Sequence, residues 1–473
     1  MRVLLVALAA LALAPHALAG GPTLQIGAAD DAVKQPTLAQ TTATLQLLQL
    51  AGLDSVRISE TWAPGLTAPM AKDAAELANV AGAAQLLGLK VYVSVANYGS
   101  RTTPLSDQDQ SDFAAYAAWI AAKHPNLAGV IVGNEPNLNG FWLPQFNADG
   151  TDAAAPAYES LLAKTYDAVK AAQPSLQVIG GALSPHGGDA SSFGGIRPTH
   201  SPTAFIQDLG TAYRASGRAA PIMDAFGFHP YGDNSSQPPS FAHPNTTSIG
   251  IGDYTKLVAL LGTAFDGTGQ SGSTLPILYD EYGVESQIPA TLTDLYTGTE
   301  KPTSKPVDET TQGQYYQQAI ALSFCQPNVE GLLLFHAFDE GSLQGWQSGV
   351  YYVNKTPKPS LAVVRTAAAQ SRRGVVAQCP GLLLTPALTF VQWPKTADLK
   401  QGRVRLVIAC DIDCRWTATL PGRRISGAAV GGLKATLDFG GRVTKGTKTL
   451  TITLTAPLNA GPPLVRTHVV KVP

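Results

Sequence analysis

Between about residues 24 and 370, short β-rich runs alternate with Ala/Leu-rich stretches of helical periodicity. The strand candidates are 24–28, 55–59, 90–96, 129–133, 177–181, 225–229, 276–279 and 331–336. Helical patterns lie between them at 37–51, 71–87, 111–123, 158–172, 202–215, 253–261 and 309–324, with a last one at 360–369. Several strands are almost continuously apolar, as from Val91 to Val95, Gly129 to Val132 and Leu332 to Phe335. Strands buried on both faces of a parallel sheet have this texture. Eight strand–helix repeats predict a (β/α)8 barrel. The alternative, a doubly wound open sheet, more often has a Gly-rich phosphate loop after its first strand, and Leu24–Ala28 leads into none.

The texture changes after a linker at 372–380. Residues 381–473 carry alternating runs such as Val404–Ile408 and Leu450–Leu454, separated by Gly-rich turns and without helical periodicity. The expected organisation is therefore a barrel over 20–371 and a small Ig-like β-sandwich over 381–473. A spacer or structural role suits the sandwich, since only Trp393 and Trp416 could stack on a carbohydrate.

Polar and aromatic residues gather just after the strands: Ser59-Glu60-Thr61-Trp62, Asn97-Tyr98, Asn134-Glu135, His186, His229-Pro230-Tyr231, Asp280-Glu281-Tyr282 and His336 to Glu340. In a barrel these positions open onto one face, where active sites lie. The long segments 187–201, 232–251 and 287–308 are candidate walls or lids.

Composition narrows the partners. The 473 residues carry a net charge of −1 and no Lys/Arg cluster, which disfavours nucleic acid and points to a neutral or weakly charged substrate. Arg2, the apolar run Val3–Leu13 and Ala17-Leu18-Ala19 predict an export signal over 1–19 and hence a secreted protein. No other segment is long and apolar enough to be transmembrane, so no membrane insertion is expected. Four cysteines suit that compartment. Cys410 and Cys414 are near enough for a local bridge, which leaves Cys325 to pair with Cys379, although three pairings exist in principle. They lack CxxC spacing and nearby histidines, so no metal is expected.

Two carboxylates on opposite sides of a barrel mouth can cleave a glycosidic bond, one as acid and the other as nucleophile. Glu135 and Glu281, ending the fourth and seventh strands, are the candidates. Asn134 can bind a sugar hydroxyl, Arg57 can reach inward to Glu281, and His229 and Tyr231 can orient that group. Asp280 is a rival nucleophile, but successive side chains alternate along a strand, so only one of the two should face the cleft. Trp62, Trp142 and Trp346 can stack on sugar faces, whereas Trp119 falls inside a helix. Glu60, Glu285, Glu340, His186 and His336 are ambiguous between rim contacts and ordinary structural groups.

Asn134-Glu135-Pro136, His229-Pro230-Tyr231 and Asp280-Glu281-Tyr282-Gly283 resemble the signatures of glycoside hydrolase clan A, with families 5 and 39 nearest in character. The resemblance spans about 24–370 and implies a retaining barrel glycosidase that needs no cofactor. It implies Glu135 as acid/base, Glu281 as nucleophile, Asn134 on the 2-hydroxyl, and Arg57, His229 and Tyr231 in support of the nucleophile. One departure is the absence of a Trp ending strand eight, leaving Phe338 or Trp346 as the sugar platform. The expectation is a secreted, monomeric hydrolase of β-linked oligo- or polysaccharide. The alternative is a non-catalytic glycan-binding protein on a degenerate barrel, which would be expected to have lost one carboxylate.

Overall fold

Eight parallel strands close on themselves, each paired with its sequence neighbour and the first with the last. The computed structural model describes residues 20–190 and 197–473; the expected export signal at 1–19 lies outside them, as does part of the loop expected at 187–201. The strands are β1 (Gln25–Ala29), β2 (Ser55–Trp62), β3 (Lys90–Asn97), β4 (Gly129–Val132), β5 (Gln177–Leu183), β6 (Ala225–Phe228), β7 (Ile277–Tyr282) and β8 (Val329–Leu334). They are followed in turn by α1 (Leu38–Leu50), α2 (Ala71–Leu87), α3 (Asp107–Lys123), α4 (Ala154–Ala172), α5 (Pro202–Ala215), α6 (Tyr254–Phe265), α7 (Glu309–Phe324) and α8 (Pro359–Arg372).

Period-two alternation sorts the side chains into two cores. Val91, Val93 and Val95 of β3 face the helices, whereas Tyr92 joins Ile131, Ile179, Ala225, Leu278 and Leu333 inside the barrel. The helices begin where short polar side chains take up free amides. Thr37 caps α1, Ser106 α3, Ser201 α5 and Asp308 α7, each accepting a backbone N–H two or three residues into the helix. Gly88, left-handed at φ 69°, stops α2.

The C-terminal region forms two antiparallel sheets. One contains β9 (Leu388–Gln392), β10 (Arg405–Cys410) and β13 (Ala435–Asp438); the other contains β11 (Cys414–Leu420), β12 (Arg423–Ala429), β14 (Gly446–Thr455) and β15 (Leu464–Val472). Val404, Leu406, Ile408, Leu437, Leu450 and Ile452 fill the space between them. A short helix, α9 (Thr396–Lys400), departs from the helix-free expectation. Trp393 stacks on His468 at 4.4 Å, and the Trp416 ring packs over Gly427. Disulfides join Cys325 to Cys379 and Cys410 to Cys414. Arg373, just beyond α8, pairs with Asp413 at 2.8 Å and links the two regions. Among the described residues, no helix is long and apolar enough to cross a membrane.

Candidate active site

A cleft of about 760 Å³ opens at the C-terminal ends of the barrel strands. Arg57, Asn134, Glu135, Tyr231, Glu281 and Trp346 line it together. Six of the nine residues expected from the sequence are thus brought to one surface. His229 lies directly beneath, fully buried, and bonds to the Glu135 carboxylate above it.

Glu135 owes its position to an unusual backbone. It follows Gly133 (φ 82°) and itself sits in the left-handed region at φ 41°, which costs a non-glycine residue about 1–3 kcal/mol. Its N–H donates to the Ala182 carbonyl at 2.9 Å, where an irregularity in β5 turns that carbonyl toward β4. Asn137 locks the same loop from below. Its side-chain amide donates to the Ser184 and His200 carbonyls and accepts from the Ser184 N–H. Strain held by such a buried clamp is the pattern expected of a functional turn.

Glu281 ends β7. Arg57 Nη1 donates to its Oε1, and the Tyr231 hydroxyl donates to Oε2 at 3.0 Å. Arg57 Nη2 donates at 3.1 Å to both Ser94 Oγ and Asn134 Oδ1, which leaves the Asn134 amide nitrogen facing the cleft. The guanidinium is therefore a hub tying β2, β3, β4 and β7 together.

His229 Nδ1 lies 3.0 Å from Glu135 Oε1 and 3.6 Å from Glu281 Oε2, and Nε2 lies 3.2 Å from Asp280 Oδ2. Both ring nitrogens face carboxylate oxygens, so both must donate and the ring is an imidazolium. Burial opposes that charge, but Glu281 and Asp280 outweigh it and lift the His229 pKa to about 10. Burial likewise opposes ionisation of Asp280, yet His229 and Arg57 hold its carboxyl below the usual range. Because Glu135 and Glu281 share one nitrogen, their nearest oxygens are at most 6.6 Å apart, the two distances added.

Only Glu281 of the two acidic residues faces the cleft, as expected, but simple alternation is not the reason. A register irregularity between Tyr279 and Tyr282 turns both acidic side chains toward the barrel axis. Glu281 lines the cleft, and Asp280 lies below it, fully buried, between His229 and Arg57. Gly227 gives it room, since a Cβ there would lie 3.1 Å from Asp280 Oδ1.

Trp62 is not at the cleft. β2 runs on to Trp62 rather than ending at Ser59, so alternation sends Arg57, Ser59 and Thr61 inward and Trp62 outward. Its ring is fully buried edge-on to Phe113 of α3 at 5.6 Å, and its Nε1 donates to the Leu66 carbonyl. Trp142 is also buried, edge-on to Tyr158. Glu60 points outward to Lys34 at 2.9 Å, and burial lifts its pKa to about 7. Glu285 lines a smaller neighbouring cavity and is likewise pushed by burial to about 7. Of the two candidate platforms, Phe338 is buried against Tyr351. Trp346 lines the cleft, tilted over Tyr231 at 5.2 Å. Phe335, which sequence reasoning missed, completes this corner edge-on to Trp346 at 5.3 Å. On the opposite wall Tyr98 and Phe141 are exposed and line the same cleft.

Asp152, His200 and Asp208 are the one group of potential metal donors found among the described residues, and they lie outside the cleft. His200 Nε2 is 2.9 Å from the Gln145 carbonyl and must donate to it, so this cluster reads as a brace between the β4 and β5 loops.

The architecture is that of a (β/α)8 barrel with its polar residues at the strand C-termini, a fold shared with solved glycoside hydrolases. One similar structure is a family 39 glycoside hydrolase from the gut symbiont Bacteroides cellulosilyticus WH2, with TM-score 0.53 and 13% identity over 95% of this chain and 80% of that one. Another is GH5_18 from Streptomyces cattleya in complex with GlcNAc, with TM-score 0.50 and 16% identity over 77% of this chain and 84% of that one. The chain also spans 47% of a Bacteroides uniformis β-glucuronidase, with 96% of this chain covered, 13% identity and TM-score 0.47. At these identities the likeness is one of fold. No protein-family model and no curated protein matches the chain.

Proposed function

We propose that this protein is a secreted retaining glycosidase that hydrolyses β-linked oligo- or polysaccharide, with Glu135 as acid/base and Glu281 as nucleophile. The observation that carries the reading is the pair of carboxylates on one histidine nitrogen. Their nearest oxygens lie within 6.6 Å of each other, a bound that admits direct attack, which needs about 5–5.5 Å, and reaches only the short end of the roughly 6.5–9.5 Å of water-mediated inversion. Their surroundings divide the labour. An ion pair from Arg57 and a hydrogen bond from Tyr231 suit a group that attacks as carboxylate. Glu135 accepts only the His229 N–H at Oε1, which leaves Oε2 to carry a proton to the leaving oxygen.

In the first step Glu135 protonates the glycosidic oxygen while Glu281 forms an ester with the anomeric carbon and the alcohol departs. In the second, Glu135 takes a proton from water, which attacks the anomeric carbon and releases Glu281. Asn134 Nδ2 is free to hold a sugar hydroxyl beside the reacting carbon. His229, cationic through the neutral range, fixes the Glu135 carboxyl without taking a proton. The export signal expected over 1–19 and two disulfides support secretion, and helix α8 followed by the 372–380 segment supports a division into barrel and sandwich.

Leaving-group dependence tests the assignment. Glu135→Ala should lose turnover of alkyl glycosides yet still form the intermediate from dinitrophenyl glycosides, whose leaving group needs no proton. Glu281→Ala should lose both. Equal loss in the two variants on both substrates would contradict the division of roles.

A further inference from the structure

The wall beyond the nucleophile is built from β1 and the β8 loop, and its charge bears on which sugar it receives. Asp30 and Asp31 follow β1, and His336 and Glu340 follow β8; all four line the cleft. Asp30 is spent on structure, since its carboxylate accepts the N–H groups of Ala32, Ala337 and Phe338. Asp31 accepts the Ser59 N–H at 2.7 Å through Oδ1, and its side chain is otherwise exposed to the cleft. His336 Nδ1 must donate to the Ala29 carbonyl at 2.8 Å, whereas Nε2 has no hydrogen-bond partner and lies 3.6 Å from Glu340 Oε1. Glu340 Oε2 accepts the N–H of Trp346, the residue that tilts over Tyr231 above the nucleophile. The wall therefore adjoins the reacting centre.

Cations are scarce here. The lining residues include no lysine, and Arg57 is already committed to Glu281, Asp280, Ser94 and Asn134. His336 is bracketed by Glu340 and Asp30. The His336 Nε2 atom is buried toward Glu340, so the wall's free polar atoms are the Asp31 and Glu340 carboxylate oxygens, acceptors matched to hydroxyl donors. Among the residues lining this cleft a carboxylate substituent would find no unspent cation, and it would face the Asp31 and Glu340 carboxylates.

Resting on the glycosidase reading, we propose that Asp31 and Glu340, the latter positioned by His336, form a hydroxyl-recognising wall for the sugar that is transferred, selecting uncharged sugars against uronic acids. Matched pairs test this: 4-nitrophenyl β-glucoside with β-glucuronide, and β-galactoside with β-galacturonide. The better neutral substrate should exceed its uronide in kcat/KM by about 100-fold, a like-charge cost of roughly 2.7 kcal/mol. Asp31→Asn and Glu340→Gln should each narrow that ratio about tenfold, because they remove charge and keep the amide-accepting oxygens. A uronide hydrolysed as well as its neutral partner, or a ratio unmoved by both variants, overturns the proposal.

Saturation-transfer NMR with free glucose, galactose, glucuronate and galacturonate supplies a readout independent of turnover. Neutral sugars that bind, without hydrolysis of any glycoside, would end the glycosidase reading and leave the wall's selectivity standing. Uronates that bind as well as neutral sugars, or no sugar binding at all, end the selectivity itself.

Discussion

Replacing Asp280 by Asn removes one charge from the buried Asp280–His229–Glu135 chain and changes almost no volume. The stake is readable from His229, whose pKa is lifted from 6.5 to about 10, equivalent to about 5 kcal/mol in favour of the imidazolium. Glu281, Asp280 and Glu135 share that gain, working against burial. Breaking a buried pair by removing one partner costs about 3–5 kcal/mol, and about 3 is expected here because Glu135 and Glu281 remain on Nδ1. The pH window follows from the signs. His229 has a raised folded pKa, so its contribution is complete below about pH 6.5 and is lost as pH rises through about 10. Asp280 has a lowered one, so its contribution is complete above about pH 4 and is lost as pH falls through the folded value. The gap in unfolding free energy between wild type and Asp280→Asn should be about 3 kcal/mol at pH 7 and should narrow toward pH 10. Urea unfolding of both proteins across that range measures it. Nitrogen-15 spectra of labelled histidines should show His229 losing its proton at lower pH in the variant. A gap under about 1 kcal/mol, or a His229 titration unmoved by the substitution, would refute the reasoning.

Other perturbations separate chemistry from scaffold. Tyr231→Phe deletes the hydroxyl that donates to Glu281, and steady-state kinetics should show kcat/KM lower by roughly 10- to 100-fold, as expected for a hydrogen bond to a charged group. Trp62→Ala should lower stability by about 3–5 kcal/mol in urea unfolding and leave KM within about twofold, since the ring is buried against Phe113 and away from the cleft. Replacing Cys325 and Cys379 by Ala opens a crosslink across 54 residues, and chain entropy sets the stability loss at about 4 kcal/mol. Unfolding midpoints of oxidised wild type and the double variant measure it.

Much of this was legible in the chain because a parallel barrel writes its plan plainly. Strands buried on both faces read as continuous apolar runs, and their C-terminal ends mark the active face, so Glu135 and Glu281 could be paired before their distance was known. What escaped depended on single residues of register. β2 ends at Trp62 rather than Ser59, and that extension sends the indole into the core. The irregularity in β7 defeats alternation and sets Asp280 beneath Glu281 instead of opposite it. The apolar run through Phe335 reads as strand, whereas β8 ends at Leu334 and Phe335 stands in the cleft wall beside Trp346. Asn137, though part of the quoted run around Glu135, gave no sign that it would clamp two loops, because its partners at Ser184 and His200 are remote in sequence.

The two carboxylates on one histidine nitrogen are the core of the account, and the configuration of the first-formed product tests them most directly. Proton NMR recorded during hydrolysis of a β-glycoside should show the β-anomer of the released sugar appearing first, followed by slow mutarotation. Initial release of the α-anomer would mean that water, rather than Glu281, attacks the sugar, and would contradict the assignment.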